Sequence, residues 1–316
     1  MLTSRHSSKV ENRGRKQNSL WQRILKYRQC YVILLPTLLF YAIFCYVPMG
    51  GVVIAFQKYS ITKGIWGSKW VGLYQFKLFL SNYKFWQLLR NTLLLNFYSL
   101  LVCFPAPIIF ALLLNEVRNV RFKKVVQMGT YMPHFISVVV ACSMVLTFVS
   151  RDGLVNMIIG FFGHESISFM SEPKYFRTIY IISNLWQNLG WSSIIYVSAL
   201  SSIDQQLYEA AAIDGANRWK QMIHVTMPGI LPTVTILLIM QIGKMLTVGY
   251  DKIILLYNAA IYETAEVIST YVYRRGLLDG DFSYSTAVGL FNSTFNFIFL
   301  MTSNWISKKI SGNGLW

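Results

Sequence analysis

Few residues in this chain could do covalent chemistry. Ser81 and Lys84 have the SxxK spacing of a nucleophile and its activating amine, but their companion motifs are missing and four-residue matches are common by chance. There is no GxxxxGK[ST] phosphate loop, so the chain is not itself a P-loop ATPase, and no HExxH or GxSxG sequence occurs. Cys30, Cys45, Cys103 and Cys142 lie in or beside apolar runs without CxxC spacing, as small buried hydrophobes do, and no Cys/His cluster suggests a metal. Binding chemistry is better supplied. Asn184, Asn188 and Trp191 recur at i, i+4, i+7 and share one helix face, with Gln187 beside them. Amides next to an aromatic plane suit a ligand with hydroxyls and an apolar CH face, such as a sugar. Gln241, Lys244, Asn292 and Asn296 are further polar groups inside apolar runs.

The elements that hold these residues are membrane helices. The chain has 316 residues, 54% of them hydrophobic and only 13% charged, with a mean hydropathy of +0.42. A soluble domain carries about 25% charged residues, so these charges cannot cover a soluble surface. The net charge of +16 does not require nucleic acid, because Lys and Arg flank membrane spans. Residues 1–30 read as a basic tail, with Arg5, Lys9, Arg13, Arg15, Lys16, Arg23, Lys26 and Arg28, and with a possible interfacial helix from Leu20. The apolar run after it has no convincing cleavage site and reads as a retained span rather than a signal peptide. A span needs about 20 apolar residues. Six stretches qualify, at about 31–57, 92–114, 131–149, 178–200, 229–249 and 287–306. The apolar run 154–162 is too short and fits a short external interfacial helix.

The expected fold is therefore all-α and integral to a membrane, with six transmembrane helices and both termini on one side. With the N-terminus inside, the inner segments carry 16 basic residues and the outer loops 12. The positive-inside rule thus favours an N-in, C-in topology. It puts residues 201–228 in the cytoplasm and loops 58–86, 150–177 and 250–286 outside. Asp251, Glu263, Glu266, Asp279 and Asp281 of the last loop are expected to meet solvent or a partner. The polar groups inside the spans have two readings, as the lining of a path or as hydrogen-bonding glue between helices. Lys244 needs water, a partner or an anionic ligand there.

Residues 209–228, EAAAIDGANRWKQMIHVTMP, form a polar island between apolar runs. Asp204 is a plausible N-cap for a helix to about Ile213, Asp214-Gly215 stops it, and a second helix starts near Asn217 and ends at Pro228-Gly229. Ala210, Ala211 and Ala212 give the first helix a nearly bare face. This stretch closely resembles the EAA loop of ABC-importer permeases, matching at Glu209, Ala210, Ala211, Asp214, Gly215, Ala216 and Pro228. It departs mildly at Met222, Val225 and Met227. The flanking LWQNLGWSSIIYVSALSSIDQQLYEAAAIDGANRW, with ISTYVYRRGL and FSYSTAVGLFNS, resembles the maltose-type, binding-protein-dependent sugar permeases, and within them the oligosaccharide and polysaccharide-fragment branch.

The resemblance covers about 31–316 and implies a type I ABC importer permease fold, with the EAA loop as a cytoplasmic coupling helix. It implies a permease subunit, not an enzyme, that takes up an oligosaccharide or polysaccharide fragment in a bacterial cell membrane. The implied partners are a second permease, different but related, two ATPase subunits that use ATP and Mg, and an extracellular solute-binding protein. No cofactor or metal is expected on this chain. A permease for another solute, such as a peptide, is the first alternative. A membrane-embedded enzyme would need a nucleophile or paired carboxylates at membrane depth, and a secondary transporter would show inverted repeats; neither pattern is visible.

Overall fold

A computed structural model of the chain describes residues 27–312, 314 and 315. The basic tail and its possible interfacial helix, apart from residues 27–30, lie outside the described residues. Two units can be told apart, residues 1–52 and 53–316. In the first, the described residues form a helix, α1 (Arg28–Tyr41), continued by a wider turn at Ala42–Tyr46 and a short helix at Val47–Met49. Pro36 lies inside α1, and nearly every side chain of the unit is exposed, as expected of a span whose surroundings are lipid.

The second unit opens with a two-stranded antiparallel ribbon, β1 (Gln57–Lys58) and β2 (Lys69–Trp70), pairing Gln57 with Trp70. This ribbon is absent from the all-helical expectation; its strands are too short to show alternation. The unit is otherwise helical. Besides short helices at Gly64–Gly67, Tyr74–Leu80 and Tyr262–Ala265, in order come α2 (Phe85–Cys103), α3 (Pro105–Glu116), α4 (Val120–Tyr131), α5 (Val138–Phe148), α6 (Leu154–Phe161), α7 (Pro173–Ser201), α8 (Gln205–Ile213), α9 (Arg218–Gln221), α10 (Met227–Ile242), α11 (Tyr250–Leu256), α12 (Ile268–Tyr273) and α13 (Phe282–Ser311). Among the described residues, three continuous helices are long and apolar enough to cross a membrane: Arg28–Phe56, Phe85–Glu116 and Arg218–Ile242. A fourth candidate is a bent pair. The runs 178–200 and 287–306 lie inside the single long helices α7 and α13.

The prolines differ in effect with the backbone on their C-terminal side. Pro105 is the first residue of α3, where its missing N–H costs least, so α2 and α3 continue as one rod. Pro133 precedes extended backbone at Ile136 and Ser137, and the chain turns by 102° before α5. Ser137 restarts the helix by accepting from the Val140 N–H at 3.3 Å. The run 131–149 is thus a bend plus one helix, not a straight span.

α7 is the central rod, packed on α2, α3, α4 and α10. Gly190 makes its contact with α4 possible: a Cβ there would fall 2.3 Å from the Thr130 carbonyl oxygen. Core clusters gather around Phe176, Tyr180 and Ile253; around Phe79, Leu88 and Tyr284; and around Ile108, Tyr196 and Ile230.

Segment 250–278, expected as an exposed outer loop, folds back into that core. Ile253, Ile261, Ala265, Val267 and Ile268 are fully buried. Glu266, expected to face solvent or a partner, is only 1% exposed and is clasped between Lys84, at 3.4 Å, and Arg274. A buried carboxylate is tolerable only with such compensation. Asp279 pairs with Arg275 at 3.2 Å.

Candidate functional site: a cavity on α7 and a docking loop

The midpoint of α7 faces a cavity of about 540 Å³, walled by α2, α3, α7 and α10. Asn184, Asn188, Trp191, Gln241 and Lys244 all line it. The Asn184/Asn188/Trp191 face therefore meets the two polar residues contributed from the end of α10. Lys244 does not sit within a helical span: α10 ends at Ile242, and tight turns such as Lys244 N–H to Gln241 carbonyl, 3.1 Å, come next. Lys244 is exposed to the cavity side and has no ion pair among the described residues.

The other three polar candidates stand elsewhere. Gln187 is buried; its amide donates to the Ile136 carbonyl at 3.2 Å and its oxygen accepts from Lys252 Nζ at 3.2 Å. It ties the bend before α5 to α7 and α11. Asn296 accepts from the Leu246 N–H at 2.8 Å and donates to Thr247 Oγ1 at 2.7 Å, fixing the turn after α10 to α13. Asn292 is half-buried and lies outside the cavity lining.

One residue that the spacing argument passed over supports the cavity wall. The His134 ring stacks on Trp191, with centroids 4.5 Å apart and planes 5° from parallel, and its Nδ1 lies 3.1 Å from Asn188 Oδ1. Asn188 also donates to Asn184 Oδ1 at 2.9 Å. The bend at Pro133 brings His134 to α7, which fixes both the aromatic plane and one amide. The only sequence signal was a lone imidazole beside a proline in an apolar run.

The Ser81–Lys84 pair is dispersed. Ser81 donates to the Lys77 carbonyl at 2.8 Å, and Lys84 is held by Glu266. All four cysteines are free thiols.

The second site lies beyond the far end of α7. Asp204 caps α8 by accepting from the Gln206 N–H at 3.0 Å. Gly215 turns the chain at φ +75°, letting the Ala216 N–H reach the Ala211 carbonyl at 2.9 Å and close the helix end. Asn217 caps α9 by accepting from the Lys220 N–H at 2.9 Å. Tyr208 and Thr226 hydroxyls meet at 3.0 Å across the two helices, and Arg218 pairs with Glu116, at the end of α3, at 2.7 Å. Glu209, Ala210, Asp214 and Gly215 are exposed, while Ala211 and Ala216 are half-buried. Ile213 and Trp219 stand 87% and 70% exposed, two large apolar side chains left uncovered among the described residues.

The expected break at Pro228-Gly229 is not there. The helix runs unbroken from Arg218 to Ile242 through a π-turn at Met222–Thr226. The ring of Pro228 would clash with the carbonyl four residues earlier, and the widened turn around His224 gives it room. The second helix of the loop is therefore the first part of the α10 rod.

The chain thus combines long apolar helices, a cavity lined by polar side chains and an exposed helical loop. The sequence signature of the binding-protein-dependent transport system inner membrane components matches residues 88–312. The chain belongs to that family, whose members are membrane permease subunits of transporters, not enzymes. It is 44% identical over 302 residues to the polygalacturonan/rhamnogalacturonan transport system permease protein YteP of Bacillus subtilis (strain 168), covering 95% of this chain and 94% of that protein. Protein LplB of the same organism is 43% identical over 297 residues, with 93% of each chain covered. Among solved structures, a chain of a bacterial alginate ABC transporter in complex with alginate pentasaccharide-bound periplasmic protein superposes with a TM-score of 0.86. It is 40% identical over 94% of this chain and 99% of that one. An importer permease of this family works with a partner permease, an ATPase and a solute-binding protein.

Proposed function

We propose that this chain is one of two different permease subunits of an ATP-driven importer of acidic oligosaccharides in a bacterial cell membrane. Residues 31–316 form its transmembrane domain, with six spans and both termini inside, so that the 209–228 loop faces the cytoplasm. There the loop docks on an ATPase that uses ATP and Mg. Glu209 and Asp214 make its polar contacts, Ala210, Ala211 and Ala216 give it a close-fitting face, Gly215 makes its turn, and Pro228 leads into the span.

The observation that carries the substrate reading is the lining of the cavity. Asn184 and Asn188 offer amides to hydroxyls, Trp191 offers a plane to the CH face of a sugar ring, Gln241 adds a further amide, and Lys244 forms no ion pair among the described residues. An unpaired ammonium at that depth favours an anionic guest. The names of relatives that carry polygalacturonan and alginate point the same way. A solute-binding protein delivers the ligand from outside. Gln187 and Asn296 serve as ties between segments.

The test is uptake by cells expressing the transporter with Lys244→Met in this chain. Oligogalacturonide uptake is expected to fall about tenfold, the loss of one charged contact, while a neutral oligosaccharide taken up by the same system loses less than about twofold. Equal losses for both would overturn the acidic-substrate reading.

A further inference from the structure

A second cavity, of about 430 Å³, opens between α2 and α7 at the end of α7 far from the docking loop. Its two ends differ in chemistry. Lys174, Arg177 and Tyr98 form the polar end; Val102, Ile181 and Ile182 form the apolar end. Arg177 stands one residue before the apolar run 178–200, so the guanidinium lies where a membrane's headgroup layer would meet its hydrocarbon. Tyr98 fits the aromatic belt of such a boundary.

The cations are under-compensated. Arg177 Nη2 donates to Asn91 Oδ1 at 3.0 Å, but its Nε is shielded from solvent and has no hydrogen-bond partner. Neither Arg177 nor the exposed Arg90, which adds a second positive charge nearby, forms an ion pair among the described residues. Glu263 acts on Arg177 only from beyond ion-pair distance. Lys174 is shared with Glu172 at 2.6 Å. Below the cations, Ile182 is 61% and Val102 42% exposed, and no amide lines the apolar end. A sugar acid would satisfy the arginine and leave this aliphatic floor empty. A molecule that is anionic at one end and aliphatic below it satisfies both.

We propose that this cavity binds an anionic phospholipid in the leaflet opposite the docking loop, with its phosphodiester on Arg177 and an acyl chain along Val102, Ile181 and Ile182. A guanidinium pairs well with a phosphodiester, and the aliphatic floor beneath it suits the attached acyl chain. The site is separate from the oligosaccharide cavity and does not depend on which solute is carried.

The experiment uses the assembled transporter, purified through a tag on this chain from equimolar phosphatidylglycerol and phosphatidylcholine vesicles, with retained lipids counted by native mass spectrometry. The wild-type complex is expected to retain phosphatidylglycerol about fivefold over phosphatidylcholine, and Arg177→Gln to lose one phosphatidylglycerol per copy of this chain. Arg177→Lys, which keeps the charge, should retain more than half of that lipid, separating a lost site from a misfolded complex. Glycerophosphoglycerol, the headgroup without chains, should not displace the lipid at millimolar concentration. The proposal is overturned if wild type shows no preference, if Arg177→Gln retains as much lipid as wild type, if Arg177→Lys loses it as fully as Arg177→Gln, or if the free headgroup displaces it.

Discussion

The docking loop and the cavity wall are built by opposite means. In the loop, the caps close within a few residues: Asp204 to Gln206, Asn217 to Lys220, Ala216 to Ala211. Its large apolar side chains, Ile213 and Trp219, are left in the open. On the wall and behind it, the bonds cross between distant segments: His134 to Asn188 on the wall, Gln187 to Ile136 and Lys252 to Gln187 behind it. The exposed loop holds its shape largely by itself, while the cavity wall takes its shape from the whole bundle.

That contrast can be broken at single residues. The largest effect is expected from Gly215→Val, because a β-branched residue at φ +75° costs about 1–2 kcal/mol and closes the turn wrongly. Uptake should fall by more than about tenfold, while immunoblots of the membrane fraction show normal amounts. Gly215→Asn, which tolerates that backbone, should keep most activity. Normal uptake by Gly215→Val would remove the loop from the coupling path.

Next comes Gln187→Leu, which strips the Lys252 ammonium of its hydrogen bond. Leaving a buried donor unpaired costs about 1–3 kcal/mol, so the melting temperature of the purified transporter should drop with an unchanged KM for uptake. A raised KM with unchanged melting would place Gln187 in the pathway instead. Trp191→Ala should do the reverse, raising KM about fivefold through loss of an aromatic face with little change in melting. Smallest of all is Glu116→Gln. The Arg218–Glu116 pair is half-exposed, and its loss is expected to cost less than about 0.5 kcal/mol. A large drop in uptake there would show that the loop depends on α3 for its position, against its self-contained construction.

The same division explains how much could be read from the chain. The loop was legible, cap by cap, because Asp204, Gly215 and Asn217 act on neighbours within a turn. The shared face of Asn184, Asn188 and Trp191 was legible because helical periodicity is local. The burial of 250–278 was not, since Glu266 finds its cations at Lys84, far back in sequence, and at Arg274. Nor could spacing separate Gln187, a tie between segments, from Asn184 and Asn188 on the cavity, because their surroundings come from α2, α10 and the bend before α5. His134 gained its place only through the 102° bend at Pro133. The continuation of α9 into α10 was hidden because a proline-glycine pair normally signals a stop, and the π-turn that admits it leaves no compositional mark.

That π-turn at Met222–Thr226 also sets the clocking of the rod it interrupts. It holds one residue more than an α-turn would, and one residue of α-helix is about 100° of rotation. The docking loop and the α10 wall of the cavity are therefore keyed to each other with an angular offset, like two cams on one shaft. Shortening the turn by a residue would rotate Leu237, Met240 and Gln241, which line the cavity, by about 100° relative to the loop.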